Sequence, residues 1–137
     1  MSAEENKAVV RRLVEEVYND NDLDLIDELV AQDYVNHAAV PKHQHGTEGF
    51  KHVNRWARAA FSDAHFTIED MIAEGDMVAC RITASGTQNG EFQGSPPTGK
   101  RFSVDHVHWH RVVDGKLVEH WAVRDDVGMM QQLGLLS

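Results

Sequence analysis

The first part of the chain places apolar residues at helical spacing, with charged residues between them. Such spacing puts the apolar side chains on one face and predicts an amphipathic helix. Ser2 precedes this segment and acidic residues follow it, which is typical of a capped helix N-terminus. The apolar stripe consists of Val10, Leu13, Val14 and Val17.

Two more helices are predicted before residue 62. The second is short, and the third spans about residues 47–61. The apolar stripe of the second helix consists of Ile26, Leu29 and Val30. Residues 33–46, between the two helices, have no helical period and end in a stretch that contains Pro and Gly. We therefore expect a loop in this segment.

After residue 64 the apolar period falls from about 3.6 to about 2, which predicts β-strands. Asp114-Gly115 is typical of a tight hairpin turn, because a type I′ turn needs positive φ at both central positions. Helices followed by hairpin-connected strands predict an α+β fold, in which a curved antiparallel sheet wraps around the N-terminal helices. The concave mouth of such a sheet commonly holds a small-molecule pocket. The strands are expected at about residues 65–73, 78–84, 102–113 and 116–125, and a last helix at about 127–136.

Composition adds limits on partners and one unusual feature. A length of 137 residues favours a single domain over residues 1–137, and 22 acidic against 13 basic residues give a net charge of −9. The acidic balance argues against nucleic acid and against an anionic membrane surface as partners. The N-terminus is acidic and has no apolar run, so we expect a cytoplasmic protein. The unusual feature is the number of histidines, nine in all.

The predicted turn at Asp114-Gly115 allows the register of the last two strands to be predicted. A two-residue loop pairs Val113 with Lys116, and the pairing continues outward from there. One face of the hairpin then carries His106, His108, His110, Glu119, Trp121, Val123 and Asp125. The other face carries Val107, Trp109, Val118 and an ion pair between Asp105 and Arg124. A β-bulge would break this parity.

The first face mixes imidazoles, carboxylates and an indole, a combination typical of the wall of a half-buried pocket. A solvent-facing surface rarely uses Trp and His so densely, and a plain core face would not hold two carboxylates. Desolvation and hydrogen bonding in such a wall shift carboxyl pKa values and fix imidazole tautomers. A carboxylate on this face is therefore a candidate general acid or base near neutral pH.

Structural interpretations stand beside the functional ones. Asp125 and Asp126 are suited to cap the last helix, and Trp121 is suited to core packing. The His-x-His-x-His pattern is compatible with metal ligands, because alternate strand positions converge on one side. We nevertheless expect no metal, and the single Cys80 excludes a Cys-based zinc cluster. Its apolar neighbours indicate an inert core thiol.

Two segments resemble the SnoaL-like polyketide cyclase family: FQGSPPTGKRFSV at residues 92–104, and HWHRVVDGKLVEHWAVRDDVGMMQQLG at residues 108–134. The YVNH segment at residues 34–37, after two short helices, adds to a resemblance that covers nearly the whole chain. The resemblance implies the cone-shaped α+β barrel of the nuclear-transport-factor-2-like superfamily. It also implies a reaction without a cofactor, the intramolecular aldol-type ring closure of a polyketide ester.

The resemblance further implies roles for individual residues. Asp125 matches the position of the acid/base residue of such cyclases, and His108 is similar in position to a pocket residue that polarises a substrate carbonyl. Asn36 and His37 match a segment at the pocket mouth. Fold-level similarity alone does not set the reaction.

From these residues we predict proton abstraction next to a carbonyl of a small, largely apolar substrate. Asp125 takes the proton and His108 donates to the enolate oxygen, while His106, Asn36, His37, Trp121 and Val123 bind the substrate. An isomerase or a hydratase would suit the same pocket, and a non-catalytic small-molecule-binding or dimerisation module is the main rival. We expect no cofactor, and a homodimer formed through the face that carries Val107, Trp109 and Val118.

Overall fold

Ser2 caps the first helix of the computed structural model, which describes residues 1–136. The Ser2 Oγ accepts a hydrogen bond from the Glu5 amide at 3.1 Å, and Glu5 Oε1 accepts one from the Ser2 amide at 3.2 Å. This capping box starts α1, Ala3–Arg12, and a π-helical segment, Leu13–Asn19, continues it. The predicted stripe is confirmed, because its four residues are at most 1% exposed.

Three further helices complete the helical layer, together with a 3₁₀ turn at Pro41–His43. Their bounds are Leu25–Leu29 for α2, Gly46–Ala60 for α3 and Asp126–Gln132 for α4. Helices α2 and α3 lie close to where the apolar pattern predicts them, and α4 ends before residue 134 because Gly134 has a φ of 74°.

Five strands form one mixed, curved sheet, in the order β1-β5-β4-β3-β2. The four consecutive strands β2 to β5 pair in antiparallel fashion as predicted. The expected α+β fold with helices against a curved sheet is confirmed, although β1 and β2 remain edges and the sheet does not close within residues 1–136. The bounds are Val30–Asn36, His65–Glu74, Met77–Thr87, Arg101–Val113 and Lys116–Arg124.

The loop predicted for residues 33–46 is wrong in its first part. Val30 belongs to a strand rather than to the second helix, and β1 pairs in parallel with β5, which makes the sheet mixed instead of antiparallel. The partner strand lies more than 80 residues along the chain, with Asn36 facing His120. A short edge strand that depends on such a distant partner leaves little local pattern.

Two apolar clusters fill the space between the helices and the sheet. The larger lies under α1 and the π-helical segment and includes Tyr34, Phe50 and Ile82. The smaller joins the end of α3 to α4 and includes Phe61 and Leu133. Burial of these side chains, at ~25 cal/mol per Å² of apolar surface, holds the helices on one face of the sheet.

The turn between β4 and β5 forms as the sequence predicts. Asp114 and Gly115 have φ of 51° and 79°, the left-handed values that a type I′ turn requires. Val113 pairs with Lys116, in the predicted register.

One residue beyond Leu117, the register departs from the prediction. Arg111 faces Glu119 rather than Val118, so Val118 is the extra residue of a β-bulge in β5. Because side chains alternate along a strand, this shift moves every later β5 residue to the opposite face. The observed pairs are His110 with His120, Trp109 with Trp121, His108 with Ala122, Val107 with Val123, and His106 with Arg124.

Candidate active site

The bulge brings four imidazoles together on the buried, concave face of the hairpin. Strand β4 supplies three of them, as predicted, and β5 supplies a fourth that the predicted register had placed outside. Histidines are seldom this deeply buried, so a cluster of them requires an internal hydrogen-bond network. The exposed fractions are 8% for His106, 3% for His108, 0% for His110 and 2% for His120.

The prediction that Trp121 and Val123 lie beside the histidines on this face is wrong. Trp121 pairs with Trp109 on the outer face, and Val123 is 74% exposed there. Glu119 lies on the same outer face and accepts a hydrogen bond from Arg111 Nε at 3.0 Å. The reason is the bulge at position 118, which reverses the direction of all three side chains.

His37, predicted at the pocket mouth, joins this outer group instead. Its Nε2 lies 2.9 Å from Glu119 Oε2, and its ring stacks on Trp121 with 4.9 Å between the ring centroids. The hydrogen bonds from His37 and Arg111 lower the pKa of the Glu119 carboxyl. The structure therefore separates His37 from the buried imidazoles.

A continuous chain of hydrogen bonds runs through the concave face from β1 to β4. Asn36 Oδ1 lies 2.8 Å from His120 Nδ1. The other nitrogen of that ring, His120 Nε2, lies 2.8 Å from His108 Nδ1. His108 Nε2 lies 3.1 Å from His106 Nδ1. The predicted site residues Asn36, His106 and His108 thus form one unit, with His120 as the link.

Burial keeps these imidazoles uncharged near neutral pH. Desolvation, together with the smaller effect of the positive charge of Arg124, lowers the pKa of His106 to about 4, against an opposing effect of Asp125. The pKa values of His108 and His120 are lowered well below the usual value, first by desolvation and then by neighbouring histidines. Each ring is therefore neutral, with one N–H and one acceptor nitrogen.

Several buried polar side-chain atoms have no hydrogen-bond partner within residues 1–136. They include both ring nitrogens of His110 and the hydroxyl of Tyr34. Burial lowers the pKa of His110 to about 3. An unsatisfied buried donor or acceptor costs ~1–3 kcal/mol, so these atoms weaken the fold and mark an interior that is not purely apolar.

His106 is the last ring of the hydrogen-bonded imidazole chain, and its strand partner lies at the end of β5, just before α4 begins. Asp125 is exposed, and its Oδ1 accepts the Gly128 amide at 2.8 Å, so it caps α4. The charge of Asp125 raises the pKa of His106, against the larger effect of burial. The cap interpretation and a chemical role are compatible, because the second carboxylate oxygen, Oδ2, makes no hydrogen bond with the described part of the chain.

Arg124 occupies the same rim, opposite His106. The ion pair predicted between Arg124 and Asp105 does not form within residues 1–136, since the guanidinium lies on the other face and contacts the Ala38 carbonyl at 3.4 Å. Its charge lowers the pKa of His106 and opposes the large rise that burial causes in Tyr18. Arg124 is therefore a cation on the same sheet face as His106, and we call this end of the concave face the mouth.

Sequence reasoning missed His120 and Arg124 as site residues. The sequence does contain a signal for them: a bulge lets Arg111 face Glu119 and Trp109 face Trp121, which are favourable cross-strand pairs. Cys80 is as predicted, a buried thiol opposite His108 whose pKa burial raises to about 12.

Comparison with known proteins identifies the family. The model of the SnoaL-like polyketide cyclase family matches residues 8–133. The chain belongs to this family. It is 34% identical over 129 residues to the aklanonic acid methyl ester cyclase DnrD of Streptomyces peucetius, covering 92% of this chain and 88% of the relative. It is 36% identical over 119 residues to the nogalonic acid methyl ester cyclase of Streptomyces nogalater, covering 85% and 89%.

Solved structures agree with this SnoaL-like assignment. The structure of TsrD from Streptomyces laurentii superposes with a TM-score of 0.88 at 30% identity, over 99% of each chain. Within the described residues, no helix has the length and apolar character needed to span a membrane.

Proposed function

We propose that this SnoaL-like chain closes a ring in a small, largely apolar polyketide ester by an intramolecular aldol-type reaction, without a cofactor. The relatives named as methyl ester cyclases support this class of substrate. The observation that carries the proposal is the arrangement at the mouth. There His106, the end of the buried imidazole chain, is the strand partner of Arg124, and Asp125 directly follows Arg124.

In the proposed reaction the Asp125 carboxylate takes a proton from the carbon next to a carbonyl group. The guanidinium of Arg124 stabilises the negative charge on the enolate oxygen. The enolate carbon attacks a second carbonyl of the same molecule and forms the new C–C bond. The alkoxide formed there takes the proton back from Asp125, so no proton is gained or lost overall.

The imidazole chain acts beside this pair. Both ring nitrogens of His108 are engaged by other histidines, so it reaches the substrate only through His106. His106 and Arg124 are the proposed substrate contacts at the mouth, and Asn36 acts from the far end of the chain. Trp121, Val123 and His37 lie on the outer face and are not among the proposed substrate contacts.

The test uses purified protein with aklanonic acid methyl ester and nogalonic acid methyl ester. Liquid chromatography with mass spectrometry should show a cyclised product of unchanged mass. Asp125→Asn should lower the rate by ~10²–10⁴-fold, the usual contribution of a general acid or base. Asn still caps a helix, so loss of rate is separated from loss of the α4 cap. Asp126→Asn, which changes the neighbouring exposed carboxylate, is the matched control.

Three outcomes would contradict the proposal. If Asp125→Asn keeps the full rate, the proton acceptor lies elsewhere. If either ester binds without turnover, a non-catalytic small-molecule-binding module is favoured. A product heavier by one water would instead indicate a hydratase.

We also propose a homodimer formed through the outer face of the sheet. This face exposes Val107 by 44%, Trp109 by 48% and Val123 by 74%. A concentration of exposed apolar side chains on one sheet face is typical of an interface. We propose that a second copy of this chain covers the outer face. A cytoplasmic location stays a prediction.

A further inference from the structure

We infer that Asn36 and the Ala38 amide fix the tautomers of three buried imidazoles, so that His106 presents an unprotonated Nε2 at the mouth and accepts a hydrogen bond from a substrate hydroxyl group. The identity of the ligand as substrate rests on the proposed function. The direction of the hydrogen bonds rests on geometry alone.

Asn36 sets the direction of the hydrogen bonds, because one of its partners can only donate. The Ala38 backbone N–H donates to the Asn36 side chain at 3.0 Å, so the accepting atom is Oδ1 and not the amide nitrogen. The same oxygen lies 2.8 Å from His120 Nδ1. An oxygen without a hydrogen cannot donate, so His120 Nδ1 carries the proton of that ring.

The proton positions of the next two rings follow in order. A neutral imidazole has one N–H, so His120 Nε2 is an acceptor and His108 Nδ1, at 2.8 Å, must donate to it. His108 Nε2 is then an acceptor, and His106 Nδ1 donates to it at 3.1 Å. All three hydrogen bonds point toward Asn36. The remaining nitrogen, His106 Nε2, is therefore left with its lone pair.

Because His106 Nε2 has a free lone pair, the substrate group opposite it must be a hydrogen-bond donor. His106 is 8% exposed, and its Nε2 has no hydrogen-bond partner in the described ranges, residues 1–136. A substrate carbonyl opposite this nitrogen would bring two acceptors together. A phenol or enol hydroxyl would donate to it instead, and the aligned hydrogen bonds behind His106 would strengthen that contact. The donor to the substrate carbonyl is then Arg124 and not a histidine.

A metal ion is the competing explanation for the cluster. Ring nitrogens of His108, His110 and His120 lie within 4.8 Å of one another. Two nitrogens bound to one tetrahedral zinc at ~2.0–2.1 Å each would lie ~3.3 Å apart. The facing nitrogens of His108 and His120 are only 2.8 Å apart, which is a hydrogen-bond distance. The positive charge of Arg124 also acts on two of these imidazoles, His108 and His120, which disfavours a cation there.

The first test is the tautomeric state of each histidine in the full chain at pH 7. Long-range ¹H–¹⁵N correlation spectra should show an Nδ1–H and an unprotonated Nε2 for all three chain residues. Asn36→Leu removes the anchor, and we expect the Nε2–H tautomer of His106 to appear. Asn36→Asp still presents an accepting oxygen, so it should keep the wild-type tautomers and act as the conservative rescue.

The second test probes the mouth with phenol and with anisole, which has the same ring but no O–H. Phenol should shift the His106 Nε2 resonance and bind at least about tenfold more tightly than anisole, the discrimination expected for one hydrogen bond to a buried partner. Equal shifts from both probes, or no shift from phenol, would overturn the hydroxyl assignment.

Other results would overturn the tautomer assignment itself. These are an Nε2–H on His106 in the wild type, unchanged tautomers in Asn36→Leu, or stoichiometric metal whose removal by a chelator changes the His spectra. None of these readouts needs turnover. Correct tautomers without cyclisation would instead contradict the proposed reaction and leave this inference intact.

Discussion

The two faces of the β4–β5 hairpin use the same residue types for opposite purposes. On the concave face, four histidines are at most 8% exposed and three of them pass hydrogen bonds to one another. On the outer face, His37 stacks on Trp121. Glu119 binds His37, and Arg111 in turn donates a hydrogen bond to Glu119. One bulged residue at position 118 separates the arrangements. The comparison shows that register, rather than composition, decides which aromatic and titratable groups reach the chemistry.

The most severe way to break the comparison is to place a charge on each face in turn. His120→Lys puts an ammonium group at a position that is 2% exposed on the concave face. Because a buried, unpaired charge costs ~3–5 kcal/mol and a domain has only ~5–15 kcal/mol of stability, we expect loss of cooperative folding. Trp121→Lys changes the next residue, which lies on the outer face, and should cost ~1 kcal/mol. Circular dichroism during thermal unfolding measures both. A Trp121→Lys variant that is destabilised as much as His120→Lys would contradict the observed register.

Acid should weaken the concave face before the outer one. The folded pKa is about 4 for His106 and about 3 for His110, below the unfolded value of ~6.5, so the unfolded chain binds more protons in between. Stability is therefore complete above pH ~6.5 and falls with decreasing pH, by ~1.4 kcal/mol per unit for each such histidine. Urea unfolding at a series of pH values measures the free energy of unfolding.

His110 allows this acid effect to be isolated from the imidazole chain. His110→Leu removes one buried imidazole outside the chain of hydrogen bonds and should reduce the slope by ~1.4 kcal/mol per pH unit between pH ~4 and ~6. His65→Leu, at an exposed position of β2, should leave the slope unchanged. Equal slopes for the two variants would mean that His110 is not buried in neutral form.

Changes on the outer face should affect assembly more than folding. Trp109→Lys and Val123→Lys place charges among exposed apolar side chains, so each should change the protomer's free energy of unfolding by at most ~0.5 kcal/mol. The same changes should convert a dimer into a monomer, measured by light scattering after size exclusion. Val40→Lys, exposed in the loop after β1, is the control. A wild-type monomer would contradict the proposed interface.

How much was predictable from the sequence depends on the range of the interactions. The helical stripe from Val10 to Val17 and the Asp114-Gly115 turn depend on local spacing and backbone conformation, and both were predicted correctly. The bulge was not, because the alternation in β5 fits either face until Trp109 and Trp121 are paired. Strand β1 was not, because its partner is far along the chain. The observed site therefore contains His120, which was not predicted, and does not contain Trp121, which was.

The register itself is the central claim, and one measurement tests it directly. Nuclear Overhauser effects between backbone protons report which residues of β4 and β5 face each other. The observed register predicts contacts between Trp109 and Trp121 and between His110 and His120. Contacts between His108 and Trp121 would contradict it, because they would return the indole to the concave face and break the imidazole chain.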